Sequence, residues 1–140
     1  MSLAVSPEDV GRILVESEFL QGFGFRLEAL EDGVCALRFP FRQRFERPGG
    51  VVTGIVFMAA ADLAMWFALM TRLGEAADRS VTIDLATSFV RGARAEDIIT
   101  TARVLSFGEA VIYGVADSCG RDGRLIAHHT LNYVNPGKRG

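Results

Sequence analysis

From Ile55 to Leu69 the chain reads IVFMAAADLAMWFAL, apolar throughout except for Asp62. A segment that is hydrophobic on every side is a helix buried in a globular core. Ala60, Ala64 and Ala68 recur one turn apart, which gives this helix a ridge small enough for a sheet or a second helix to approach closely. The run is shorter than the ~20 apolar residues that cross a bilayer, and its acid sits at the centre, where insertion costs about 2.5 to 3.5 kcal/mol. It is therefore expected to be a core helix, with no membrane partner.

Upstream, Ser6 and Pro7 followed by Glu8 and Asp9, then Val10, Ile13 and Leu14 on one face, predict a short amphipathic helix ending near Ser17. After the aromatic stretch Phe19 to Phe25, two strand-like runs, FRLEAL and VCALRFPF, flank Asp32-Gly33 and predict a hairpin. Arg42 to Gly50 lacks any apolar period and ends in Pro-Gly-Gly, which predicts a loop into the long helix. Beyond Gly74 the period changes from 3.6 to 2, and four strands are expected. In the first, Val81, Ile83, Leu85, Thr87 and Phe89 share a face. The others run from Ile98 to Phe107, Val111 to Ser118 and Leu125 to Val134, with Asp122-Gly123 as the turn between the last two. Short turns imply antiparallel pairing. The fold class is α+β: one domain over residues 1–140, a six-stranded, mostly antiparallel sheet with one long apolar helix across a face.

A chain of 140 residues buries about two thirds of its unfolded surface and folds without staples. The net charge of −2 and scattered arginines give no broad basic field, only the local pair Lys138-Arg139, so nucleic acid is not an expected partner. Cys35 and Cys119 form no paired framework, and the N-terminus lacks a basic stretch followed by an apolar one, which fits a reducing cytoplasm. His128 and His129 are adjacent on a strand, point to opposite faces and cannot grip one metal ion, so no metal is expected. The GxSxG, GxxxxGK[ST] and GxGxxG motifs are absent. A two-residue Asp122-Gly123 turn would set Cys119 opposite Ile126 with His128 as a diagonal neighbour, so a Cys-His dyad is geometrically conceivable. The plainer account is a small buried thiol beside a satisfied histidine.

Asp62 is the strongest candidate for chemistry. An ionised carboxylate in apolar surroundings costs several kcal/mol unless partners offset it, so this acid is either tied down by buried hydrogen bonds or kept for reaction. Before it, Thr53 can cap the helix, and Gly54 in the first turn leaves backbone N–H groups bare at the positive end of the dipole. A carbonyl oxygen docked there would be polarised. The alternative is a glycine in a tight helix entry and an aspartate bonded to nearby backbone.

These residues carry a resemblance. The stretch GGVVTGIVFMAAADLA is similar to the helix entry of hotdog-fold acyl-CoA thioesterases of the phenylacetate-pathway (PaaI-like) type, whose pattern is N-x-x-G-x-x-H-G-G with an acid nine residues after the histidine. The first glycine falls on Gly50, the histidine on Thr53, the next glycine on Gly54 and the acid on Asp62. The asparagine becomes Arg47 and the last glycine Ile55. TSFVRGA and GRDGRLIAH resemble the family's INFLRPA and DEDGKLVA, so the likeness spans most of the chain. It implies a hotdog fold, a Gly54 amide that binds the thioester oxygen, and Asp62 as nucleophile or general base for water. It implies no cofactor, CoA being part of the substrate, and a homodimer, with the pairing of dimers into tetramers left open. Arg47, Gly50, Thr53, Ile55 and Trp66 are the candidate substrate-binding residues.

Helix geometry adds a condition. Gly54 and Asp62 are about 12 Å apart along one helix axis, whereas an attacking group and an oxyanion donor must both lie about 3 Å from one reacting centre. Two antiparallel helices in a symmetric dimer meet that condition twice. Met58, Met65, Trp66 and Leu69 lie near the Asp62 face and are candidates for an acyl pocket or for plain core packing. Arg91 and Arg94 are candidates for CoA phosphates or a solvated strand end. The rival readings are a non-catalytic acyl-CoA or lipid-binding protein, and a dehydratase, which needs a histidine that the long helix and its entry lack.

Overall fold

The computed structural model describes residues 2–136; the basic pair Lys138-Arg139 lies outside them. The first helix, α1, spans Pro7–Glu16. It starts with a complete capping box, in which Asp9 N–H donates to Ser6 Oγ at 3.0 Å and Ser6 N–H donates to Asp9 Oδ2 at 3.2 Å. Val10 and Leu14 are its buried face, as the sequence predicts.

Strands β1 (Arg26–Glu31) and β2 (Val34–Phe39) form the expected hairpin through Asp32-Gly33. Its turn is tied to the long helix α2 (Gly54–Leu73): Gly33 N–H donates to Thr71 Oγ1 at 2.9 Å, and Arg72 donates to both Asp32 oxygens at 2.8 and 3.0 Å. The segment expected to be only a loop contains a single 3-10 turn and a two-stranded ribbon, β3 (Glu46–Arg47) and β4 (Val51–Val52). Two residues per strand are too few to show a period in sequence.

After α2 come β5 (Thr82–Phe89), β6 (Ile98–Phe107), β7 (Val111–Cys119) and β8 (Leu125–Val134). The six-stranded sheet has the order β1-β2-β6-β7-β8-β5 and every pairing is antiparallel. It wraps around α2, giving the hotdog architecture that the resemblance implies. By length and apolarity α2 could cross a bilayer, but it is a core helix: Phe57, Ala60, Ala61, Ala64, Phe67 and Ala68 are fully buried, and its packing partners include β2, β6 and β7.

One irregularity in β5 positions the site. Thr82 pairs with Tyr133 but the next pairs are Asp84 with Asn132 and Leu85 with Leu131, so Ile83 is an extra residue, a bulge. Strict alternation would put Val81, Ile83 and Leu85 on one face and Thr82 on the other. The bulge instead brings Thr82 to the same side as Leu85, facing α2, while Ile83 is left half exposed.

Candidate functional site

Asp62 is half-buried on the flank of α2, on the floor of a groove of about 760 Å³. Thr82 Oγ1 donates to its Oδ1 at 2.8 Å, and the Tyr133 hydroxyl lies 2.5 Å from the same oxygen and 2.7 Å from the Asp62 backbone carbonyl. The two hydroxyls are cross-strand partners, Thr82 on β5 and Tyr133 on β8, so sheet register delivers them together. Burial, reinforced by the Asp62 charge, holds the Tyr133 phenol well above its ordinary pKa, which keeps it a donor. Among the described residues nothing donates to Oδ2. One carboxylate oxygen is thus anchored and the other is available to act on a ligand. Ile55, Met58, Leu63, Trp66 and Leu85 make most of the groove apolar, and none of its described lining residues is cationic.

Gly54 is the first residue of α2 and opens into a different cavity, of about 450 Å³. The helix entry is fixed by backbone: Val52 N–H donates to Ala93 O at 2.9 Å and Thr53 N–H to Phe45 O at 2.7 Å. Among the described residues none accepts from the Gly54 N–H, so this donor at the positive end of the helix is free. A Cβ here would fall 2.8 Å from Cζ of Phe89, so any larger residue makes that ring tilt away. Phe89 in turn meets Phe57 edge-on, ring centroids 5.7 Å apart. Arg47 lines the same cavity; its guanidinium donates to Pro48 O at 2.8 Å and has no carboxylate partner among the described residues. Arg91 also lines it but pairs with Asp122 at 3.2 Å, and Arg94 donates to Gly49 O at 2.8 Å. Both arginines are engaged by the protein's own loops.

Thr53 occupies the N-cap position with extended backbone, yet its hydroxyl makes no capping bond. The capping role expected from sequence is therefore absent. Thr53→Ala should change stability by no more than about 0.5 kcal/mol, well below the usual cost of a lost cap. Denaturant unfolding of Thr53→Ala and Thr53→Ser checks this; a loss above about 1 kcal/mol in the alanine variant alone would show that the hydroxyl does cap.

The structure brings Asp62, Ile55 and Trp66 into one groove and Gly54 and Arg47 into the other cavity. Gly50, at the end of the ribbon turn, donates its N–H to Arg47 O at 3.1 Å and lines neither; nor does Thr53. Met65 and Leu69, offered above as pocket candidates, are fully buried on the sheet side, and Met65 packs against Gly114 of β7. The Cys-His dyad is also corrected. The β7–β8 loop runs from Gly120 to Arg124, with a register shift between Ser118 and Cys119, so Cys119 faces Leu125 and not Ile126. His128 Nδ1 instead meets Asp117 Oδ1 at 2.6 Å. His129 is buried and satisfied, 2.7 Å from Thr87 Oγ1 and 3.0 Å from Ser118 Oγ. Burial first, and then the neighbouring His128, lowers its pKa to about 4. Thr82, Tyr133 and Phe89 join the site in the structure with no signal in the sequence that marks them for it.

A six-stranded antiparallel sheet wrapped around one long helix defines the hotdog class. The chain belongs to the thioesterase superfamily, whose family model matches residues 49–127. A protein of Saccharolobus solfataricus named "putative esterase" is 30% identical over 119 residues, covering 85% of this chain and 77% of the relative. Among solved structures, a thioesterase from Haemophilus influenzae superposes with a TM-score of 0.84 at 19% identity, covering 99% of each chain, and so shares the fold. A protein from Silicibacter sp. TM1040 described as a "putative thioesterase" has a TM-score of 0.81 at 25% identity, covering 96% of this chain and 94% of its own. Family and relatives together make this a hydrolase of thioesters or esters.

Proposed function

We propose that the protein hydrolyses acyl-CoA thioesters, in the manner of the phenylacetate-pathway type, at a site shared by two copies of the chain. The observation that carries this reading is the separation of Gly54 and Asp62 into two cavities of one chain, each with half the required chemistry. An antiparallel pair of α2 helices places Asp62 of one subunit beside Gly54 of the other, with the two-fold axis level with Met58. The open edge of β5, with Ile83 and Phe89 half exposed, supports such a pairing. The Gly54 N–H polarises the thioester carbonyl and stabilises the oxyanion. Asp62 takes a proton from water as the water oxygen bonds to the carbonyl carbon, and passes that proton to the thiolate as the C–S bond breaks. In direct attack the carboxylate displaces the thiolate to form a mixed anhydride, and water then cleaves the anhydride to the free acid, restores the carboxylate and supplies the thiol proton. CoA enters as part of the substrate, and no other cofactor has a role.

A thiol-release screen over short, medium, long and aromatic acyl-CoAs tests the activity. Ligand affinity without thiol release in every case would identify the non-catalytic binder instead. Light scattering at micromolar concentration should give at least twice the chain mass of 15.2 kDa, with pairs of dimers equally compatible. A monomer that still hydrolyses thioesters would sink the shared site.

A further inference from the structure

The Asp62 groove extends further along α2 than a partner helix can cover. Its helical lining, Ile55, Met58, Ala59, Asp62, Leu63 and Trp66, is one stripe, about 16 Å long at 1.5 Å per residue. If Gly54 of the partner is level with Asp62, the partner helix begins there, and it overlies only the part from Gly54 to Asp62. The remaining stretch, from Asp62 to Trp66, continues directly from the reacting centre.

That stretch has built walls. The Trp66 indole is pinned, its Nε1–H donating to Ala77 O at 2.8 Å, and its ring lies against that of Phe67 at 5.6 Å. On one side α1 starts beside the end of α2, where Ala4 N–H donates to Thr71 O at 2.8 Å, and it brings Ile13 into the groove. Val81 lines it as well. Among the described lining residues Asp62 alone is charged, so a carboxylate on the bound group would be desolvated and repelled.

We propose, resting on the shared-site reading above, that the acyl group is uncharged and occupies the Trp66 end of this groove, with the Trp66 indole as the wall that limits its length. Trp66 is thus a specificity-determining residue, about one helical turn beyond the catalytic acid. One methylene in an apolar pocket is worth roughly 10-fold or more in discrimination, so moving a wall should move the profile measurably.

The test is the dependence of kcat/KM on chain length for straight saturated acyl-CoAs in three proteins. In Trp66→Ala the ratio of longer to shorter substrates should rise by about tenfold or more, and in Ile13→Trp it should fall. The second variant adds bulk without removing the indole bond, so it decides the matter if the first does not fold. Succinyl-CoA should be at least about tenfold poorer than butyryl-CoA in the wild type. Unchanged profiles in the folded variants, with an active wild type, overturn this inference alone. A wild type that releases thiol from no acyl-CoA overturns the shared-site hydrolase reading and this inference with it.

Discussion

Asp62→Asn is expected to lower kcat by about 10² or more, with modest change in KM and little change in melting temperature. The amide keeps an oxygen where Oδ1 stands, so it still accepts from Thr82 and Tyr133, and the Tyr133 bond to the residue 62 carbonyl is untouched. Anchoring survives, while basicity and nucleophilicity are lost. A purely structural aspartate would leave turnover at the wild-type level, because the anchoring that the amide preserves would be its whole role. Single-turnover thiol release alongside thermal unfolding separates the two, and wild-type turnover in the variant would return Asp62 to a role in packing.

The acid is legible in the sequence, and the groups that hold it are not. Asp62 stands out because a charge in an all-apolar helix is costly, and that signal needs no tertiary knowledge. The capping box at Ser6 and the limits of β6 and β8 were legible for a similar reason: caps and alternation are local. Thr82 was hidden because the bulge at Ile83 reverses which residues of β5 face the helix, and a bulge is set by pairing with a strand some fifty residues away. Tyr133 reaches Asp62 across 71 residues of sequence, beyond any local rule. Met65 and Leu69 cannot be told from groove residues in the sequence, because a helix apolar on every side gives no stripe from which to choose a face. The Cys119 register failed on a loop longer than the two-residue turn assumed for it.

Replacing Gly54 tests the other half of the site. Proline is well tolerated at the first position of a helix, where the backbone N–H has no helical partner. Thr53 already has φ −63° and ψ 140°, the extended backbone that a residue before proline requires. Gly54→Pro should therefore keep α2 while deleting the donor. It also introduces a Cβ into the space taken by the Phe89 ring, 2.8 Å from Cζ, so Gly54→Ala is the necessary control. Alanine brings the same crowding and keeps the N–H. Phe89 is 48% exposed and can tilt away, so both variants should fold. Relative to Gly54→Ala, Gly54→Pro should lose a further 10² to 10³ in kcat, roughly the worth of one oxyanion donor. If the two variants turn over equally and differ from wild type only through crowding, the Gly54 amide does not touch the reacting oxygen. The donor would then have to be sought elsewhere in the cavity, with Arg47 the first group to test.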